Sequence, residues 1–274
     1  MVVGGLAHRG IHGGETIRRS MRVAVLASAG KDSTYAAWWA TMRGWQVECL
    51  VTVRVLGDDS MMYQLCGTAL AGLQAASMGV PWLPVLSRGE EEAEVLDLEE
   101  ALLGQSDVRT AFVESWPEHW DEPGELEIMV DGPEVDALVV GALRSDYQRT
   151  RIDRMCERLG IISYSPLWHH PPDGHMRAIV EHGFDARIAS VSSEGLGEEW
   201  LGMRIDHESL DALEALAREH RFNLDGEGGE FETVVLGAPH MRASIECDAE
   251  SLWHGSRGVW NVESACLGLS LIHI

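Results

Sequence analysis

Val23-Ala24-Val25-Leu26-Ala27-Ser28-Ala29-Gly30-Lys31-Asp32-Ser33-Thr34-Tyr35 is the stretch from which the fold can be read. Residues 23–27 form an apolar run that reads as a strand buried on both faces. Small residues follow as a turn, and the chain from Thr34 reads as a helix start. Strand, small-residue turn and helix in that order gather backbone N–H groups and the positive helix end around one point, an arrangement suited to phosphate. The turn also carries the single lysine of the protein, since 20 of its 21 basic residues are arginine. A compact, flexible ammonium is useful in such a loop. The competing reading, an ordinary connection with a chance lysine, is disfavoured by order, spacing and composition together.

Working outward, residues 47–55 are β-branched and read as a second strand. Residues 65–78 read as a helix closed by Gly79, and 82–86 as a third strand. Residues 90–103 read as an acidic helix whose glutamates form a solvated face. Residues 104–133 carry Trp116-Pro117, Glu122-Pro123-Gly124 and Asp131-Gly132-Pro133 and read as a long surface excursion. Residues 136–142 read as a fourth strand and 148–159 as a helix ended by Gly160. Alternating strands and helices with buried strands predict an α/β, doubly wound parallel sheet. Ligands bind such sheets beyond the carboxyl ends of the strands, which puts the phosphate loop and residues 142–147 on one edge.

From Ser163 the pattern changes to a smaller α+β C-terminal domain. Helices are expected over 176–182 and 210–220, and strands over 186–191, 233–236, 243–246 and 259–269. The expected division is a flexible N-terminal extension over 1–20, because Met21 directly precedes the first strand, an ATP-binding domain over 21–162, and a substrate-recognition domain over 163–274.

Composition narrows the function class. With 274 residues, 45% of them hydrophobic, and ten tryptophans, the chain can build a real core. A formal charge of −23 argues against a broad nucleic-acid-binding face, which needs clustered basic residues. An acidic surface almost without lysine suits a salt-rich, salt-adapted cytoplasm, where self-repulsion is screened. The five cysteines are scattered without a Cys-x-x-Cys pair, which fits reduced cytoplasmic thiols. No apolar run long enough to cross a membrane and no secretory signal is read.

Asp225-Gly226-Glu227-Gly228-Gly229-Glu230-Phe231-Glu232-Thr233 is the second unusual stretch. Its glycines allow backbone to approach a ligand closely, and its carboxylates can orient ammonia, bind magnesium or accept a proton. An exposed acidic turn is an equally good reading of this stretch alone. His169, His170 and His175 lack a settled metal spacing and read as part of a proline-rich surface loop.

The first loop is not a Walker A motif, because Val25 stands where its first glycine is needed and Asp32 where Ser or Thr should follow the lysine. Ser28-Ala29-Gly30-Lys31-Asp32-Ser33 instead resembles the pyrophosphate loop of the ATP pyrophosphatases, with Ala29 replacing a frequent glycine. If that position needs positive φ, Ala29 is strained. Over residues 22–267 the chain resembles the diphthine–ammonia ligase family of these pyrophosphatases. The other markers are Gly141-Ala142-Leu143-Arg144-Ser145-Asp146-Tyr147-Gln148-Arg149-Thr150-Arg151, Ser192-Ser193-Glu194-Gly195-Leu196, Glu199-Trp200-Leu201-Gly202 and residues 226–233.

The resemblance implies a HUP-like fold, ATP and Mg²⁺ as cofactors, and the diphthine form of translation elongation factor 2 with ammonia as substrates. The diphthine carboxylate would become an acyl-adenylate with release of pyrophosphate, and ammonia would give the amide and AMP. Ser28, Gly30, Lys31, Asp32, Ser33, Gly141, Ser145, Tyr147 and Arg151 would then hold ATP or pyrophosphate, with Lys31 catalytic and Asp32 a Mg²⁺ ligand or brace. Glu230 would be catalytic on the substrate side, with Glu194, Trp200, Gly228, Gly229 and Thr233 beside it. For Trp200, core packing is about as good a reading as substrate contact. A homo-oligomer is compatible with all of this. Two departures stand out: Met62-Tyr63-Gln64 where similar proteins tend to carry Met-aromatic-His, and a longer segment at 104–133. The competing functions are a tRNA-modifying ATP pyrophosphatase, which lacks its basic face and paired cysteines here, and a non-catalytic nucleotide sensor.

Overall fold

The structure, a computed structural model, describes residues 20–56, 61–89 and 93–269, so the extension expected over 1–20 lies outside the described residues except for Ser20. The first sheet contains β1 (Arg22–Leu26), β2 (Gln46–Val55), β3 (Trp82–Ser87), β4 (Ala137–Val140) and β5 (Ile162–Tyr164). Its order is β3-β2-β1-β4-β5, and every pairing is parallel. β2 and β3 step to one side of β1, and β4 and β5 to the other, so the order reverses between β1 and β4. At such a reversal the connecting loops diverge and leave a crevice at the carboxyl edge.

The period-2 alternation of the strands decides how the helices pack. Val23, Val25, Leu50, Ala137 and Val139 face one way, against α1 (Lys31–Met42) and α2 (Met61–Met78). Ala24, Cys49, Val51, Leu83 and Leu138 face the other way, against α3 (Ala93–Leu102) and α5 (Asp146–Leu159). Helix α1 begins at Lys31, three residues ahead of the expected Thr34, because the loop itself forms its first turn.

The segment 104–133 is not a surface excursion. It forms α4 (Val108–Ser115), and Trp116 and Trp120 are buried in the same core as Trp82 and α2. Gly72 of α2 makes room for this: a Cβ there would lie 3.0 Å from the Trp82 ring and 3.1 Å from that of Trp116. Residues 127–129 then run alongside Trp82, whose N–H donates to Glu127 O and whose O accepts from Met129 N. The proline and glycine punctuation misled because it marks turns between packed pieces as readily as a solvated loop.

The second sheet is antiparallel, with β6 (Asp185–Val191), β7 (Phe231–Gly237), β8 (Ile245–His254) and β9 (Arg257–Leu267) in the order β7-β6-β9-β8. Helices α6 (Pro172–Glu181) and α7 (His207–His220) pack with it, and α7 opens on an Asp206/Ser209 capping box. Strand β5, which was not expected, straddles the division read at 162/163. Helix α2 is buried between the two sheets, touching β2 and β3 on one side and β9 on the other, which explains its apolar run Ala69-Leu70-Ala71.

The turn after β7 half-buries His240, whose two ring nitrogens are shielded from solvent without a hydrogen-bond partner and whose ring lies 6.4 Å from that of Phe184. Burial pushes its pKa down to about 4 from 6.5. A depressed value means that the unfolded chain takes up a proton below pH 6.5 which the folded chain refuses until about pH 4. Stability is therefore expected to fall across that window by up to about 3 kcal/mol from this group. Urea midpoints measured between neutral and acid pH should fall less steeply in His240→Leu; parallel curves would contradict the assignment.

Candidate functional site

The loop after β1 is held in shape by its own hydroxyls and by the second sheet. Ser33 Oγ donates to Gly30 O at 3.1 Å and lies 3.3 Å from Ser28 Oγ, while Ser28 N donates to Ser33 Oγ at 3.2 Å. Ala29 has φ +60, the left-handed region that disfavours a Cβ. Interactions around its carbonyl offset this strain: Val235 N donates to Ala29 O at 2.8 Å, and Gln74 Nε2 bridges Ala29 O and Val235 O at 3.2 and 2.8 Å. Lys31 N donates to Thr233 Oγ1 at 3.1 Å. Thr233, expected beside the substrate, thus braces the phosphate loop, and β7 closes its underside.

Lys31 is 4% exposed, and its ammonium sits 3.0 Å from Asp32 Oδ2 and 5.8 Å from the centre of the Phe231 ring. Asp32 Oδ1 is 2.7 Å from His175 Nε2. Burial pushes the Asp32 carboxyl up, but the Lys31 charge and the His175 hydrogen bond outweigh it and hold the group below the ordinary carboxylate range. His175 is therefore not part of a surface loop: it lies on α6, 2% exposed. His169 and His170 are exposed, as expected.

The loop after β4 meets the first loop backbone to backbone. A Cβ on Gly141 would lie 2.7 Å from Asp32 C and from Ser33 N. Arg144 then ties this loop to the third one: its N–H donates to Glu227 Oε1 at 3.1 Å, and its Nη2 lies 2.7 Å from Asp225 Oδ1 and 2.5 Å from Oδ2. Asp225 is fully buried, so it depends on this charged donor. Further along α5, the Arg151 guanidinium lies 4.0 Å from the centre of the Tyr147 ring.

Together these loops bound a cleft of about 420 Å³ at the β1/β4 reversal. One part is apolar, lined by Leu26, Val53, Val95, Leu98, Val140 and Ile152. The other is polar, with Ser28, Asp32, Ser33, Gly141, Tyr147, Arg151 and Glu227. An apolar slot beside an anion cradle matches a nucleotide, base on one side and phosphates on the other.

The expected substrate-side residues distribute differently. Glu230 Oε1 accepts from Asn223 N at 2.8 Å and Nδ2 at 2.7 Å, and its Oε2 is buried without a partner, so this side chain turns into its own loop. Glu227 is the carboxylate of that loop on the cleft wall. Positive φ at Gly226 and Gly229 turns the backbone between them, and a Cβ on Gly228 would lie 2.6 Å from Glu230 Oε1, displacing that side chain from its present place. Trp200 is 5% exposed in the second core, and Glu194 is exposed and does not line the cleft. Arg144 and Asp225 stand in the quoted stretches without an assigned role, His175 was read as surface loop because its partner Asp32 is remote in sequence, and Gln74 carries no sequence signal.

Mg²⁺ was expected on Asp32. Both Asp32 oxygens are engaged, and no group of three or more metal-ligating side chains exists among the described residues. This donor set does not fit a resident metal. Among the described residues no helix is long and apolar enough to cross a membrane.

Comparison with known proteins agrees with this geometry. Residues 21–116 and 113–163 match the diphthamide synthase N-terminal domain, and residues 171–267 match the diphthamide synthase C-terminal domain. The chain is similar to the human diphthine–ammonia ligase, 29% identical over 241 residues and 85% of each chain. It is also similar to the Rattus norvegicus diphthine–ammonia ligase, 30% identical over 274 residues, 93% of this chain and 92% of the relative. A third similarity is to the Schizosaccharomyces pombe diphthine–ammonia ligase, 30% identical over 86% of this chain but only 38% of the relative.

Proposed function

The chain belongs to the diphthamide synthase family, and we propose that it is an ATP-dependent ligase that amidates the diphthine carboxylate of translation elongation factor 2 with ammonia in the cytoplasm. The observation that carries this reading is the meeting of three loops at the β1/β4 reversal: an anion cradle, an apolar slot and a carboxylate-bearing glycine loop on one cleft.

A carboxylate is a poor acyl donor. Its oxygen attacks the α-phosphate of ATP, the bond to the bridging oxygen breaks, and pyrophosphate leaves. Ammonia then attacks the acyl carbon, loses a proton, and AMP departs. The negative charge that grows on the pyrophosphate meets Lys31, the Ser28 and Ser33 hydroxyls and the α1 N-terminus, groups held in position before the reaction starts. Gly141 keeps the β4 loop close enough to complete the cradle. Tyr147 and Arg151 flank the nucleotide, with Ser145 at the start of the same segment. Glu227, on the cleft wall, takes the proton from the attacking ammonia. Glu230 supports that loop through Asn223, a role that differs from the catalytic one expected from sequence.

The test is amide formation on diphthine-bearing elongation factor 2 with ATP, magnesium and ammonium, read by mass spectrometry together with AMP. Conversion of carboxylate to amide with AMP produced is the expected result. ATP cleaved to AMP with the factor unchanged would move the substrate elsewhere, and no cleavage at all would overturn the ligase reading.

A further inference from the structure

His175 lies 143 residues from Asp32 in sequence, yet its Nε2 is 2.7 Å from Asp32 Oδ1. Helix α6 presents it edge-on to the Tyr35 ring, 5.3 Å between centroids. Its Nδ1 is buried without a partner. An ionised carboxylate oxygen at that distance can only accept, so the nitrogen facing it must carry the proton. The proton therefore sits on Nε2, and His175 donates to Asp32. The groups around this contact are Lys31 on the other carboxylate oxygen, Tyr35 beside the imidazole, and His182 beyond Tyr35 at 6.1 Å.

We propose that His175 is a positioning residue for the phosphate loop, which occupies one oxygen of Asp32 so that the carboxylate holds Lys31 by a single contact and leaves its ammonium available to phosphate. A carboxylate with both oxygens free would take the buried ammonium on both and compete with the phosphate for it. The C-terminal domain thus sets the strength of the only lysine in the chain. This proposal rests on reading the loop as an ATP site.

The single lysine supplies a direct probe. Protein labelled with ¹³C-lysine gives one lysine side-chain resonance, whose position reports the Lys31–Asp32 contact without reference to turnover. His175→Leu, which keeps apolar volume and removes the donor, should shift that resonance. It should also lower kcat by about 10- to 100-fold while changing the KM for ATP less than about threefold, because the lost effect belongs to the charge formed in the transition state. His175→Gln, which keeps an N–H at similar reach, should restore both to near wild type. His175→Asn, too short to reach Asp32, should behave like the leucine variant.

An unshifted resonance with full kcat in His175→Leu, or a glutamine variant as impaired as the leucine one, would overturn the proposal. Should His175→Leu fail to fold by circular dichroism, the glutamine and asparagine variants carry the same comparison, and equal behaviour of those two overturns it. Failure of the ATP reading looks different: the wild-type lysine resonance would not respond to added ATP, whatever residue stands at 175.

Discussion

Gly141→Ala is expected to lower kcat/KM for ATP-dependent amidation by about a hundredfold or more while leaving the fold intact. The added methyl would lie 2.7 Å from Asp32 C and Ser33 N and 2.8 Å from Asp32 O. These are backbone atoms at the start of α1, so no side-chain rotation relieves the overlap. The loops after β1 and β4 must separate, and a displacement of about 1 Å in a preorganised site costs about 10²-fold in rate. Overpacking of this kind destabilises by about 1–3 kcal/mol, which a domain with so extensive a core survives. Gly124→Ala is the matched control, because a Cβ there meets nothing within 4 Å. Far-UV circular dichroism and the amidation assay on both variants decide the matter. Near-normal turnover in Gly141→Ala would mean that close apposition of the two loops is not needed for catalysis.

Lys31→Ala is expected to lower AMP formation by about 10²- to 10³-fold, the usual consequence of deleting one preorganised charge at a leaving group. Lys31→Arg is the more telling variant. In this chain arginine replaces lysine everywhere else, so general compatibility with arginine is not in question. The Lys31 site is only 4% exposed and lies between Asp32 and the Phe231 ring. A planar guanidinium is wider than an ammonium and does not fit the same buried space beside Asp32 Oδ2 and the Phe231 ring, so its charge is displaced from the position the ammonium holds. The arginine variant should therefore stay within about tenfold of the alanine one. Quantifying AMP at saturating ATP checks this, and an arginine variant that keeps most of the wild-type rate would remove the special role assigned to the ammonium.

Neither of these residues depended on the structure to be noticed, and the reason is local. The apolar run at residues 23–27 and the small-residue turn before α1 are written in neighbouring residues, so sheet class, phosphate loop and the edge shared with residues 142–147 were legible in the amino-acid sequence. For Ala29 the sequence supplied only a condition, strain if its position needs positive φ, and the structure meets that condition with φ +60. Even the second constellation, 225–233, stood out by composition alone.

Tertiary structure decided what those residues face. The His175–Asp32 contact spans 143 residues and the Arg144–Asp225 pair spans 81, and both exist only because α6 and β7 pack over the start of α1. Gln74 joins the phosphate loop to β7 because α2 is buried between two sheets, a placement that no periodicity within α2 encodes. Trp116 and Trp120 fill a core beside Gly72 although their surroundings in sequence look like loop. Glu227 and Glu230, three residues apart, point to the cleft and away from it because intervening glycines turn the backbone. Residue type and spacing specify which chemistry a chain can carry, but the direction of a side chain and its partner across the fold follow from how separate elements pack, and that information is not local.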